Sequence, residues 1–180
     1  IAFHLAQAGA RVTLFEKAQP ATGATQNSFA WLNAFVADPH YRALRLRSLM
    51  AYHELDRLLK LGIIWGGYIN WAASAAEVES LRVNAAQLDG TADPVRPINA
   101  AELAAMAPAL VPGAVVAAFF SRIDGHLNPV GVTQRFLTAA QLHGAKVLLQ
   151  CDVQELDLKG GALAGVETNQ GRMPLDRLVV

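Results

Sequence analysis

The sequence predicts an α/β fold. Three observations predict it. A helix, a glycine and an apolar strand follow one another through residues 1–16. Helical spacing and strand-like runs alternate through the middle. The last third is a succession of short apolar runs split by glycine turns.

In chain order, Ile1 to Gln7 keeps helical rhythm and Gly9 stands where a left-handed C-terminal cap is wanted, before the strand-like Arg11 to Phe15 and the charge of Glu16. Residues 17–33 are rich in Ala, Thr, Gly, Asn and Ser without periodicity, which describes a functional loop. Asp38-Pro39 offers an N-cap and a proline at the first helical position, and leucines then hold helical spacing to Gly62. Residues 63–73 have strand composition, with Gly66-Gly67 suggesting a bulge or a close backbone approach. Ser74 with Glu77 forms a capping-box pattern for a helix to about Leu88, and Asn99 with Glu102 repeats it for a short helix that Pro108 ends. Residues 89–97 are turn-rich. Val115 to Phe120 reads as a strand, Asp124-Gly125 as a turn, and Asn128-Pro129 as the start of a helix that Gly144 stops. Strands are then expected at Lys146–Leu149, Val153–Leu158, Leu163–Thr168 and Arg177–Val180, with turns at Gly160-Gly161 and Gln170-Gly171. The chain is expected to start and stop inside elements, since Ile1 opens in helical rhythm without a cap and Leu178-Val179-Val180 has no turn chemistry after it.

Composition narrows the function. Hydrophobic residues make up 53% and charged residues 17%, enough to bury a core. The 15 basic and 15 acidic residues balance without a Lys/Arg cluster, so nucleic acid is not an expected partner. Cys151 is the sole cysteine, which excludes an intramolecular disulfide, argues against a thiolate metal site and fits a reducing, cytoplasmic setting. The five histidines show no metal-ligand spacing, and no G-x-S-x-G nucleophile elbow is present. The longest uncharged stretch, Leu61 to Ala76, falls short of the ~18–20 apolar residues of a membrane span.

Glu16 carries the sharpest local signal. In dinucleotide-binding folds the second strand ends in a carboxylate, whose two oxygens accept hydrogen bonds from ribose hydroxyls. A solvated charge at a strand end fits the same spacing, and the glycine-rich phosphate turn that completes the fingerprint is not in this chain. The loop Thr22 to Ser28 combines small residues with hydroxyls and amides able to donate to phosphate or to ring carbonyls; an ordinary polar surface loop has the same composition. Trp31, Trp65, Tyr68 and Trp71 suit either an apolar pocket or core packing.

The run from Ile1 through Glu16-Lys17 resembles the first helix and second strand of the D-amino-acid-oxidase and glycine-oxidase superfamily of FAD-dependent oxidoreductases. Residues 123–129, the helix to Gly144 and residues 145–180 resemble that family's return to its FAD domain. Residues 38–121 carry the resemblance least. It implies a Rossmann-like FAD-binding domain formed by residues 1–37 and 123–180, incomplete because the first strand with its G-x-G-x-x-G turn and the C-terminal half are absent. Residues 38–122 would form part of an inserted α+β substrate-binding domain.

By position, the resemblance implies that Glu16 holds the adenosine ribose beside Lys17. Ala24, Thr25, Phe29, Ala30 and Trp31 would face the pyrophosphate and flavin, and Val153 would hold the adenine through its main chain. Asn27, where members with attached flavin can carry a histidine, implies noncovalent FAD. The implied reaction of the complete protein is oxidation of a C–N bond in an amino acid or related amine by hydride transfer to flavin, with oxygen or a respiratory acceptor taking the electrons. Membrane association would come only through such an acceptor. The fragment alone is expected to be inactive. The family's substrate-carboxylate arginine lies beyond Val180, so the resemblance places no catalytic residue here. Alternatives that fit the same residues are a glycerol-phosphate dehydrogenase or tRNA-modifying oxidoreductase of the superfamily, an NAD-dependent dehydrogenase, and an inactive fragment.

Overall fold

The computed structural model describes every residue from Ile1 to Val180. In chain order the elements are α1 (Ala2–Gln7), β1 (Thr13–Glu16), β2 (Trp31–Leu32), α2 (Pro39–Leu59), β3 (Tyr68–Ala72), α3 (Ala75–Ala86), β4 (Arg96–Ile98) and α4 (Ala100–Met106). They continue with β5 (Ala117–Ser121), β6 (Gly125–His126), α5 (Pro129–Leu142), β7 (Lys146–Leu149), β8 (Val153–Lys159), β9 (Ala162–Thr168) and β10 (Gly171–Pro174). The fold is mixed α/β. The chain forms two compact units: Ile1–Phe29 with Pro129–Val180, and the continuous segment Ala30–Asn128 between them.

In the discontinuous unit, β1 and β7 pair in parallel from Thr13↔Lys146 to Glu16↔Leu149. Parallel neighbours need a crossover, and here the long intervening chain supplies it. α1 reaches β1 through a left-handed turn at Gly9 (φ 85°), where Gly9 N donates to Ala6 O and Ala10 N to Leu5 O. Those two bonds satisfy carbonyls that the helix end would leave bare. Phe3 is buried and packs 6.0 Å, ring centroid to centroid, from Phe136 of α5. β8, β9 and β10 form an antiparallel sheet with β9 in the middle.

In the continuous unit, β3, β5 and β4 form an antiparallel sheet with β5 central, and β2 pairs with β6. Pro97 lies on the edge strand β4, where a missing N–H costs least. One face of the sheet, with Ile69, Trp71, Ala118 and Phe120, packs with Ile98 and with Leu103 of α4. A second cluster gathers Ala34, Leu49 and Leu88, with Leu32, Phe35 and Trp65 against it. α2 begins as its cap pattern requires, Asp38 Oδ1 accepting from Tyr41 N at 2.7 Å. α4 is closed by reciprocal bonds, both 2.9 Å, between Asn99 and Glu102.

Five local expectations are corrected. α2 ends at Lys60 in the left-handed region (φ 54°), before Gly62, because Asp56 Oδ1 accepts from Gly62 N at 2.9 Å and draws the following chain back. Asp124-Gly125 is no exposed turn: Asp124 is fully buried and Gly125 enters β6. The turn-rich stretch before Ile98 contains β4, and the segment after Gln170 forms β10, because both find antiparallel partners that sequence composition does not reveal. Residues 177–180 form no strand despite their β-branched composition, since a strand exists only where a ladder partner does.

Candidate functional site

The parallel pair in the discontinuous unit brings several of the expected residues to one end. Glu16 is the last residue of β1, half-buried, opposite Leu149. Its carbonyl accepts from Cys151 N at 3.0 Å, and its Oε1 accepts from Ala18 N at 2.7 Å. One carboxylate oxygen is thus anchored to the chain just past the strand, which sets the direction of the other. Cys151 is buried, and Val153 opens β8 two residues later. The ladder shifts register between Val153 and Glu155, so the sheet is irregular at the residue expected to present its main chain. Glu16 and Val153 therefore both lie close in sequence to the Glu16–Cys151 bond, at the carboxyl end of a parallel pair, where open α/β sheets bind ligands. Lys17 follows Glu16 and is exposed.

Ala24 and Thr25 sit in a run of turns, both exposed. Ala21 (φ 68°) and Gly23 (φ 97°) take left-handed backbone there, and space around Gly23 is open. The side chains of Thr22 and Asn27 are engaged inside the loop, Thr22 Oγ1 donating to Gln19 O at 2.7 Å and Asn27 Nδ2 to Gly23 O at 2.8 Å. Their polar groups shape the loop, leaving small, exposed Ala24 and Thr25 at its surface. Phe29, exposed, closes this segment.

Ala30 and Trp31 belong to the continuous unit. Ala30 holds a left-handed backbone (φ 50°), and Trp31 starts β2. The Trp31 indole donates through Nε1 to Asp124 Oδ2 at 2.6 Å, and Ser121 Oγ donates to Asp124 Oδ1. The Asp124 carbonyl accepts from Gly67 N at 3.1 Å. Tyr68 stands 4.6 Å from Trp31, centroid to centroid, and Phe35 stands 5.9 Å from Tyr68. Burial raises the Asp124 carboxyl above the ordinary carboxylate range, outweighing the hydrogen bonds from Ser121 and Trp31 that pull it down. Burial and the neighbouring Asp124 charge likewise raise the Tyr68 phenol. Sequence reasoning missed Asp124. Asp-Gly is an ordinary turn signal, and the only hint was a serine three residues earlier, which is not specific.

No group of His, Cys, Asp and Glu side chains is arranged to hold a metal ion, and no helix is long and apolar enough to cross a membrane. The arrangement can hold hydroxyls at a carboxylate, present main chain beside it and approach an anion with a small-residue loop.

A family model described as "FAD dependent oxidoreductase" matches residues 1–180. Human mitochondrial dimethylglycine dehydrogenase is 26% identical over 184 residues, covering 99% of this chain and 21% of that protein. The structure of L-proline dehydrogenase from P. horikoshii superposes with a TM-score of 0.87 at 24% identity, covering 97% of this chain and 47% of that one. Glycine oxidase from Bacillus cereus ATCC 14579 gives 0.88 at 21% identity, covering 98% and 51%. The chain thus spans about a fifth of the curated relative and about half of the solved structures it matches.

Proposed function

Because this chain belongs to the FAD dependent oxidoreductase family, we propose that its protein binds FAD noncovalently and oxidises the C–N bond of an amino acid or related amine. Dimethylglycine, L-proline and glycine, the compounds named by the relatives, all place an amine nitrogen one carbon from a carboxylate. The single observation that carries the cofactor assignment is the Glu16 carboxylate at the end of β1. It is held by Ala18 N, with the Glu16 carbonyl tied to Cys151 and Val153 close behind. These residues fit an adenosine: the carboxylate accepts from ribose hydroxyls, and the Val153 main chain meets the adenine edge. Lys17 stands next to the ribose. Ala24 and Thr25 admit the pyrophosphate to a loop whose left-handed positions bring backbone close. Phe29, Ala30 and Trp31 face the flavin.

On this reading residues 1–37 with 123–180 are the cofactor-binding part, Rossmann-like, and residues 38–122 are part of an inserted substrate-binding domain; the compact units divide at Phe29/Ala30 and Asn128/Pro129. Bound FAD supplies a two-electron acceptor for the substrate's hydride. The substrate loses that hydride and, where its nitrogen carries one, a proton, leaving an imine or iminium that adds water and splits into a carbonyl compound and the amine. The electrons pass on to oxygen or a respiratory acceptor, in the cytoplasm or at a membrane-bound acceptor.

The test is the visible spectrum of the full-length protein before and after denaturation. A flavin spectrum whose dye is released into solution supports the assignment, and bleaching on addition of amino acids or N-methyl amines supports the reaction. A folded, colourless protein that takes up no added FAD overturns it.

A further inference from the structure

The continuous unit holds a cleft of about 180 Å³ on the sheet face that carries Tyr68, Asn70, Phe119 and Ser121, walled by Trp31, Phe35 and α3. A cavity of roughly 150 Å³ suffices for a benzene ring, so this one admits a phenyl or branched alkyl group. Its walls are pinned by groups that are not part of its lining. Asp124 accepts from both Trp31 Nε1 and Ser121 Oγ. Asn33 Oδ1 accepts from Phe35 N at 3.1 Å, Arg45 donates to Phe35 O at 3.2 Å, and Arg42 Nε donates to Val36 O at 3.0 Å. A cleft whose walls are already fixed costs little further ordering when it is filled.

No side chain in the lining carries a charge. Asp124, Arg42 and Arg45 stand outside it, engaged with the wall residues they hold. Burial and the Asp124 charge keep the Tyr68 phenol neutral. A carboxylate or an ammonium entering the cleft would give up water without meeting a counter-charge, which is costly. Apolar groups meet Trp31, Phe35, Leu81 and Phe119 and gain by leaving water. We propose that the cleft takes the uncharged hydrocarbon side chain of the amine substrate, and that Asn70, opposite Phe119 in the ladder, is a position that sets the preference for neutral over charged side chains. This rests on the flavin reading, in which Trp31, one wall of the cleft, faces the flavin; a substrate held there has its side chain beside the cleft.

The test is flavin reduction in the full-length, cofactor-loaded protein by glycine, leucine, phenylalanine and aspartate, as free and N-methyl amines and, where chiral, as both enantiomers. Leucine and aspartate have side chains of similar shape, so their ratio reads charge. The kcat/KM for leucine or phenylalanine should exceed that for glycine by about 10–100-fold, the worth of burying such a side chain, and aspartate should fall below glycine. Asn70→Lys brings a cation into the lining and should move the leucine-to-aspartate ratio toward aspartate by about 10-fold or more, the worth of a charge-assisted hydrogen bond. Asn70→Met, of similar length without the charge, should leave that ratio in favour of leucine, which separates charge from bulk and from folding. Aspartate oxidised as well as leucine by the natural protein, a ratio that Asn70→Lys leaves in place, or one that Asn70→Met moves equally overturns the proposal. Flavin reduced by glycine but not by leucine or phenylalanine overturns it alone and leaves the oxidoreductase reading standing. A flavin that none of these amines reduces defeats that reading, and this inference falls with it.

Discussion

Trp31 Nε1 donates to Asp124 Oδ2 at 2.6 Å across 93 positions of sequence, and Ser121 occupies the carboxylate's other oxygen. Asp124 has no exposed surface, so neither donor has water as a substitute. Asp124→Ala should destabilise the protein by about 2–4 kcal/mol, the cost of stranding buried donors. Asp124→Asn should cost less, because its carbonyl can accept from the indole while its amide donates to the Ser121 hydroxyl. Urea denaturation of both variants checks this, and equal losses would contradict it.

The same carboxyl sets a pH dependence. Its folded pKa is raised by burial, so the native state holds the proton to higher pH than the unfolded chain. The associated stability is complete below the unfolded value of about 3.9 and is lost as pH rises through the raised folded value. Asp124→Asn does not titrate. The stability of the natural protein relative to this variant should therefore fall as pH rises from about 4 through that window. Melting curves of both proteins across the acid range test it; a constant difference would refute it.

Glu16 reports on the cofactor. Glu16→Ala in the full-length protein should weaken FAD binding by about 10–100-fold, the worth of hydrogen bonds to a charged acceptor. The far-UV spectrum should not change, since Glu16 ends a strand and contributes to its ladder through the backbone. Flavin fluorescence titration of the apoprotein measures the loss. Unchanged affinity would remove Glu16 from the site.

Gly67 has φ 75°, and a Cβ there would run into the Phe120 ring and the Ser121 carbonyl. Gly67→Ala should cost about 2–4 kcal/mol, conformational strain and collision together. Gly113 has a similar φ of 69° but open space around it, so Gly113→Ala should cost only about 1 kcal/mol. Paired denaturation curves separate collision from strain.

Elements fixed by neighbours in sequence were legible: Asp38-Pro39 starts α2, the Asn99–Glu102 pair caps α4, and Gly9 turns α1 into β1. Elements fixed by distant partners were not. β10, reading Gly-Arg-Met-Pro, has little strand character and exists because β9 is there to pair with it, whereas residues 177–180 have the composition without a ladder. Within the site, Glu16 was visible as an acid at a strand end. Val153 came only from resemblance, because a role played by main chain leaves no mark on residue type. Asp124 was hidden by its own signature, since burying a carboxylate takes an indole from far upstream.

The parallel pairing of β1 with β7 also dictates an order of events on the ribosome. Thr13 emerges early and must wait for Lys146 before its strand gains that neighbour, whereas Ala30–Asn128 is one unbroken stretch that can collapse as soon as it leaves the exit tunnel. During that wait the edge of β1 that β7 will cover stays unpaired. Chaperone binding to stalled nascent chains should accordingly be strongest before Leu149 has been exposed and fall once it has.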